Sequence, residues 1–349
     1  MPSPNMRRSR RIWLLLLILL AWPLFQGCKM ISDGLSRWDM LGQEALEDPV
    51  KAVGGDAVVF TPAGDAAPLS GDRLATATPQ ELVANYAPIF VQQRVDTRAQ
   101  AYPYPPEYDQ IGEARMRLDG KGELKAFVAG SPTVYAICEK RTLSGREHVQ
   151  LTYTAWYPAH PRMKVIDLEE ADIDSCVLRV TLDGRNAPLF VETIMACGCF
   201  HKVFVEHWLE DEAARANGPP EKGKKFSIEK TLSGSIDWEV AGVVDEPRDK
   251  PQRPVVFLKA GDHKVIGMGS AARLRVPPGA DARPYALAEY SDLYSLPVAD
   301  SDRRAPFFDL GDGGKVYGAQ RKERFVLGLV GVDSAGQPRA NDQIKMHFD

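Results

Sequence analysis

The stretch best equipped for chemistry is Met195-Ala196-Cys197-Gly198-Cys199-Phe200-His201. On an extended strand alternate residues face one side. Met195, Cys197, Cys199 and His201 would then share a face, with Ile194, Ala196, Gly198 and Phe200 on the other. Thioether, thiolate and imidazole together suit copper(I), whereas thiolate and imidazole alone suit zinc or iron. His160, in the loop Trp156-Tyr157-Pro158-Ala159-His160-Pro161, could complete such a shell. The expected site is Cys197, Cys199, His201 and His160 as ligands, with Met195 adding soft character. Its cofactor would be copper, zinc or haem iron.

The cysteines also have a plainer use. Cys138, Cys176, Cys197 and Cys199 form an even set, and in an oxidising compartment such thiols tend to pair. The expected outcome is Cys138–Cys176 plus a bridge involving Cys197 or Cys199. Same-face Cβ atoms two residues apart on a regular strand are about 6–7 Å apart, beyond disulfide reach. A direct Cys197–Cys199 bridge needs a bulge or turn at Gly198. It would be strained and easily reduced, which makes it a redox candidate.

Other motifs carry less. Asp167, Glu169, Glu170, Asp172 and Asp174 crowd together after His160. They could hold calcium, but an EF-hand loop needs Gly at its sixth position and Glu at its twelfth. Counted from Asp172 those places hold Val177 and Asp183, so a solvated loop is expected. Gly267-Met268-Gly269-Ser270-Ala271-Ala272 has dinucleotide-fingerprint spacing. The residues after it, Arg273-Leu274-Arg275-Val276, read as strand where that fingerprint requires a helix. No Walker A, His-Glu-x-x-His or Gly-x-Ser-x-Gly motif occurs. His148, His207, His263 and His347 have no partner nearby in the sequence. Tyr102-Pro103-Tyr104-Pro105-Pro106 reads as an extended segment that could line a ligand groove or act as a rigid connector.

The N-terminus carries an address. Arg7, Arg8, Arg10 and Arg11 precede the apolar run Ile12 to Ala21, which Trp22-Pro23-Leu24-Phe25 extends, and Gln26-Gly27-Cys28 follows. This resembles the signal peptide of a bacterial lipoprotein. The resemblance implies cleavage after Gly27 and acylation of Cys28 on its thiol and its new amino group. Phe25 stands where the usual pattern has Leu. Each buried acyl methylene contributes about 0.8 kcal/mol, so several chains hold a protein firmly on a bilayer. An uncleaved anchor is the other membrane reading, though spanning needs about 20 residues. Lys29 stands where an Asp would resemble an inner-membrane retention signal, so the outer membrane is favoured. Ser9-Arg10-Arg11-Ile12-Trp13-Leu14 also resembles a twin-arginine export motif, but the leucine-rich run favours general secretion. The body resembles bacterial lipoproteins of no assigned activity through Thr181-Leu182-Asp183, Cys197 to His201, and Glu323 to Gly336.

Composition sets the frame for these elements. The chain has 349 residues, 44% hydrophobic, with mean hydropathy −0.26. That balance excludes a disordered chain and a polytopic membrane protein. The net charge of −4 gives no support for a nucleic-acid partner. Cleavage after Gly27 would remove four of the 43 basic residues and none of the 47 acidic, deepening the charge to −8.

Beyond a tether over residues 28–77, a β-rich body is expected over 78–349, with a subdomain split near 217–225. Thr78-Pro79-Gln80-Glu81 is a capping box that starts a helix. His148 to Tyr157 alternates, with Val149, Leu151, Tyr153, Ala155 and Tyr157 on one face. Cys176 to Leu182 and Leu189 to Val205 read as strands joined by the turn Asp183-Gly184-Arg185-Asn186. Arg324 to Val332 reads as a further strand. The fold class expected is mainly β, an antiparallel sandwich or distorted barrel with a few short helices. The function expected is a membrane-anchored envelope binding or interaction module, its partner an envelope protein or a small ligand. An envelope enzyme or redox protein using the cysteine cluster is the alternative, and a purely structural disulfide-bonded lipoprotein the third.

Overall fold

Period-two alternation of apolar residues is the signal that shapes the fold, and strands dominate the computed structural model. It describes residues 49–319 apart from 54–55, 65–66, 144, 166, 168, 197–199, 232–238, 246 and 275–279, together with residue 340. The signal segment, Cys28, Cys197, Cys199 and the strand expected over 324–332 lie outside the described residues. Among the described residues no helix is long and apolar enough to cross a membrane.

Thirteen strands of five or more residues occur among the described residues. They are β1 (Ala57–Pro62), β2 (Ile89–Gln93), β3 (Glu113–Leu118), β4 (Leu124–Ala129), β5 (Thr133–Leu143) and β6 (Arg146–Tyr157). Then follow β7 (Asp174–Leu182), β8 (Pro188–Ile194), β9 (Lys202–Glu206), β10 (Glu239–Val244), β11 (Pro254–Leu258), β12 (Val265–Ser270) and β13 (Asp281–Glu289). Eleven form one sheet in the order β10-β9-β8-β7-β6-β5-β13-β1-β2-β11-β12. The edge strands β10 and β12 approach each other, so the sheet curls into a nearly closed barrel. Lys202 Nζ, on β9, reaches across the seam to the Val265 carbonyl at 2.7 Å.

The mainly β, distorted-barrel body expected from the sequence is thus observed. Four neighbour pairs in the sheet are parallel: β1 with β13, β9 with β10, β2 with β11 and β5 with β13. The meander β5 to β9 is antiparallel throughout.

Both faces of β6 are buried where it matters. Leu151, Tyr153, Ala155 and Tyr157 join the main core with Tyr86, Phe90, Leu178 and Tyr285. Trp156 points the other way, its ring 5.1 Å from that of Phe307 in a second core under the β3–β4 hairpin. The helix Pro79–Asn85 begins with the expected capping box. Thr78 Oγ1 accepts from Glu81 N, and the Glu81 carboxylate accepts from Thr78 N. That helix carries Leu82 into the main core, and Tyr86 follows at its end.

Two expected boundaries shift. β1 falls inside the expected tether, yet it pairs with β13 on one side and β2 on the other, and Ala57 to Phe60 are buried. Strands on either side of 217–225 pair as β9 and β10, and residues 48–349 form one compact unit. The boundary expected there is a surface loop within that unit.

Candidate functional site

Strand directions gather the chemistry at one end of the sheet. β5, β13 and β1 run one way, and β2, β6, β8 and β11 run the other. The ends of β2, β6, β8 and β11 therefore meet the starts of β1, β7, β9, β12 and β13.

At this end Tyr157, the last residue of β6, stands opposite Asp174, the first of β7. The loop between them doubles back, and His160 and Ala171 exchange both backbone hydrogen bonds at 2.9 and 3.0 Å. Pro161 follows His160 and holds its backbone toward the extended region. His160 Nδ1 thereby sits 3.0 Å from Asp174 Oδ2. The turn between β11 and β12 delivers a second imidazole to the same oxygen, with His263 Nδ1 at 2.9 Å. His263 has a left-handed φ of 49°, a conformation that costs a Cβ-bearing residue about 1–3 kcal/mol. Its ring stacks on Tyr157 with centroids 3.8 Å apart.

The other side of His263 is closed by Asp109, whose Oδ1 lies 3.3 Å from His263 Nε2. Asp109 ends a single 3-10 turn, Pro106–Asp109, that follows the Tyr-Pro segment. Gly261 N donates to its Oδ1 at 2.6 Å and the Tyr104 hydroxyl to its Oδ2 at 2.9 Å. Gly261 has a φ of +80°, and a Cβ there would meet Met163 Sδ at 2.5 Å, so glycine is required for this approach.

His160, Asp174 and His263 are each at most 1% exposed. Burial alone would raise the Asp174 pKa, but the hydrogen bonds from His160 and His263 outweigh it and hold the carboxyl well below the usual range. Burial would likewise lower that of His263, yet Asp109 and Asp174 push it up to about 9. His263 is therefore an imidazolium between two carboxylates. Asp174 Oδ2 can only accept, so His160 Nδ1 is the donor in that contact and Nε2 is the ring nitrogen turned away from it. That buried Nε2 has no hydrogen-bond partner among the described residues and faces Glu169 Oε2 at 3.8 Å. Lys264 Nζ lies 3.3 Å from the same Oε2 and 4.1 Å from the centroid of the Phe200 ring.

A cleft of about 250 Å³ opens beside the network, and Asp109 is part of its wall. Gln92, Gln110, Arg94 and Arg283 line it too. Both arginines pair with Asp281, at 3.3 and 2.7 Å. The fully buried Gln92 donates through Nε2 to the Lys259 carbonyl at 2.9 Å, and its Oε1 has no hydrogen-bond partner among the described residues.

Of the residues expected to act together, His160 joins this network and His201 does not. His201 Nε2 is 2.7 Å from Glu192 Oε1, and Glu192 stands opposite Arg179 in the β7–β8 pair. β8 ends at Ile194 and β9 begins at Lys202 as its antiparallel neighbour. Met195, Ala196, Phe200 and His201 belong to neither strand, and Cys197 and Cys199 lie outside the described residues. Met195 is buried just past β8. The topology nonetheless places Met195 and His201 at the same end of the sheet as His160.

Cys138 and Cys176 are free thiols. Cys138 stands opposite Leu151 and Cys176 opposite Ala155, so two strands and four residues separate them. That is roughly 16 Å, against the roughly 5.5–6 Å between Cα atoms in a disulfide. The expected Cys138–Cys176 bridge does not form. Burial pushes the Cys176 thiol up to about 12, and it raises that of Cys138 as well. The acidic run also departs from expectation, because Asp167 and Asp174 are buried rather than solvated. Asp109 and His263 were missed as site residues. The available signals were the Tyr-Pro segment just before Asp109 and the Gly261-Asp262 turn just before His263.

No protein family matches the chain, nor does any curated protein or solved structure. Fold and site together define its class as a nearly closed mixed-sheet β protein with a buried histidine–carboxylate network at one end.

Proposed function

We propose that this chain is a lipid-anchored protein of the bacterial cell envelope whose β body is a binding module rather than an enzyme. The observation that carries the reading is Asp109, which lines the cleft on one side and holds His263 on the other. His263 lies between two carboxylates, Asp174 at 2.9 Å and Asp109 at 3.3 Å. Arg94 and Arg283 already share Asp281, so the cleft exerts no strong pull on anions. Gln92 Oε1, which has no hydrogen-bond partner among the described residues, asks for a donor. These features suit an uncharged polar molecule of hexose or blocked-dipeptide size. A volume of about 250 Å³ lies just under the range of about 300–1,000 Å³ usual for small-molecule pockets.

Calorimetric titration of the full chain with hexoses and blocked dipeptides tests this. Binding should weaken roughly tenfold or more in Gln92→Leu, which removes a buried acceptor. No binding by any of these solutes, or a Gln92→Leu chain that binds as before, overturns the reading. Anchoring has a separate test. A Cys28→Ala chain should wash off membranes without detergent, and one that stays bound contradicts lipidation.

A further inference from the structure

A second feature of the same end goes beyond the cleft and stands even if the cleft is empty. His160, Asp167 and Glu169 offer ligand atoms that all lie within 4.8 Å of one another. Acidic residues close together are common and carry no weight alone. The added observation here is His160, 1% exposed, whose Nε2 has no hydrogen-bond partner and faces Glu169. Asp174 fixes that ring from behind through Nδ1. A carboxylate holding the far nitrogen of an imidazole is the usual outer support of a metal-ligating histidine, since it sets the tautomer and aims the lone pair. Asp167 is preset as well. Its Oδ2 accepts from Met163 N at 2.7 Å and its Oδ1 from Glu169 N at 3.1 Å, which leaves each oxygen a further lone pair.

We propose that His160, Asp167 and Glu169 bind a divalent first-row transition ion, with Asp174 as the residue that positions His160. One imidazole and two carboxylates make a borderline-to-hard donor set that suits zinc, manganese or iron(II) and disfavours copper(I). Ligand atoms about 2.1 Å from a tetrahedral zinc are about 3.4 Å apart, so closure from the present spacing needs only a small contraction of the loop. Three protein ligands leave a coordination position open, as in zinc sites that hold water or a small ligand. Two carboxylates neutralise the ion. Lys264, 3.3 Å from Glu169, supplies the positive charge in the ion's place and would compete with it.

The test uses zinc as the probe. The full chain is purified in detergent, stripped with chelator, reloaded, and its bound zinc counted by mass spectrometry and by competition with a chromogenic chelator. One zinc per chain is expected. Glu169→Gln, on a partly exposed residue, should keep the circular-dichroism spectrum and weaken binding about tenfold or more. Asp174→Asn should weaken it by about 10–100-fold. Lys264→Met should tighten it, because a competing cation is gone. A chain with both Cys197→Ser and Cys199→Ser should bind as before. Loss of zinc in that cysteine variant moves the ion to the thiols and overturns the assignment. So does a wild-type chain that takes up no stoichiometric zinc, or a folded Glu169→Gln chain with unchanged affinity. A Lys264→Met chain that binds zinc more weakly also counts against it.

Discussion

Two imidazoles meet a single oxygen of Asp174, and that crowding dictates how the molecule answers pH. His263 is held protonated in the fold, with its pKa at about 9 against an ordinary value near 6.5. Between those two values the folded state carries a proton that the unfolded chain lacks, so stability falls as pH rises through about 9 and is complete below about 6.5. Asp174 acts with the opposite sign. Its lowered pKa contributes stability that is full above the ordinary carboxylate range and is lost as pH falls toward its folded value. Urea midpoints should therefore form a plateau between about pH 4.5 and 6.5 with a declining alkaline limb. His263→Gln should flatten that limb, and a limb unchanged in the variant would disprove the assignment. Asp174→Asn removes the charge between two buried rings and should cost about 3–5 kcal/mol in urea unfolding. The pairing of His263 with Asp174 was not legible, because 89 residues separate them in sequence. His160 was legible as the histidine in the loop that ends the alternating strand.

Elements divide along the same line between local and remote causes. The helix Pro79–Asn85 was legible to the residue, since its capping box is closed by groups three apart in sequence. Thr78→Ala should cost about 1 kcal/mol, read from the shift in thermal or urea midpoint. The alternation of β6 was legible because one face packs into the main core over five positions. Residues 195–201 show the opposite case. Alternating Met, Cys, Cys and His mimic a strand face, but alternation of residue types holds in any conformation. Met195 and His201 fall outside β8 and β9, whose pairing the stretch does not encode by itself. The cysteines fail as a pair for a similar reason, because even counts say nothing of strand order. With β6 between β5 and β7, Cys138 and Cys176 cannot meet. Alkylation of the native chain should leave Cys176 unmodified until denaturant is added, since the residue is 2% exposed and its thiol resists ionisation. Mass spectrometry after tryptic digestion would show it, and a Cys138–Cys176 linked peptide would refute the strand order.

At the scale of the molecule the decisive strand lies inside the expected tether. Ala57-Val58-Val59-Phe60 is strand-like in itself, but Gly, Ala, Asp and Pro surround it, the mixture of a linker. Its place in the sheet is central. β1 is hydrogen-bonded on both sides and joins β13 to β2, and through β2 to β11 and β12. Without it the barrel separates into the β10-to-β13 sheet and a three-strand remnant of β2, β11 and β12. Two long inner edges would then face water unpaired, a template for aggregation. The site would go as well, since Asp109 and His263 meet Asp174 only when the ends of β2 and β11 are held beside the start of β13. Two truncations therefore have opposite outcomes. A chain beginning at residue 48 keeps the whole compact unit and should unfold in one transition, with fluorescence and circular dichroism coincident. A chain beginning at residue 78, where composition alone would start the body, should be insoluble or should lack the cooperative transition. A soluble, cooperative 78–349 fragment would show that β1 is dispensable and that the tether extends to residue 77 after all.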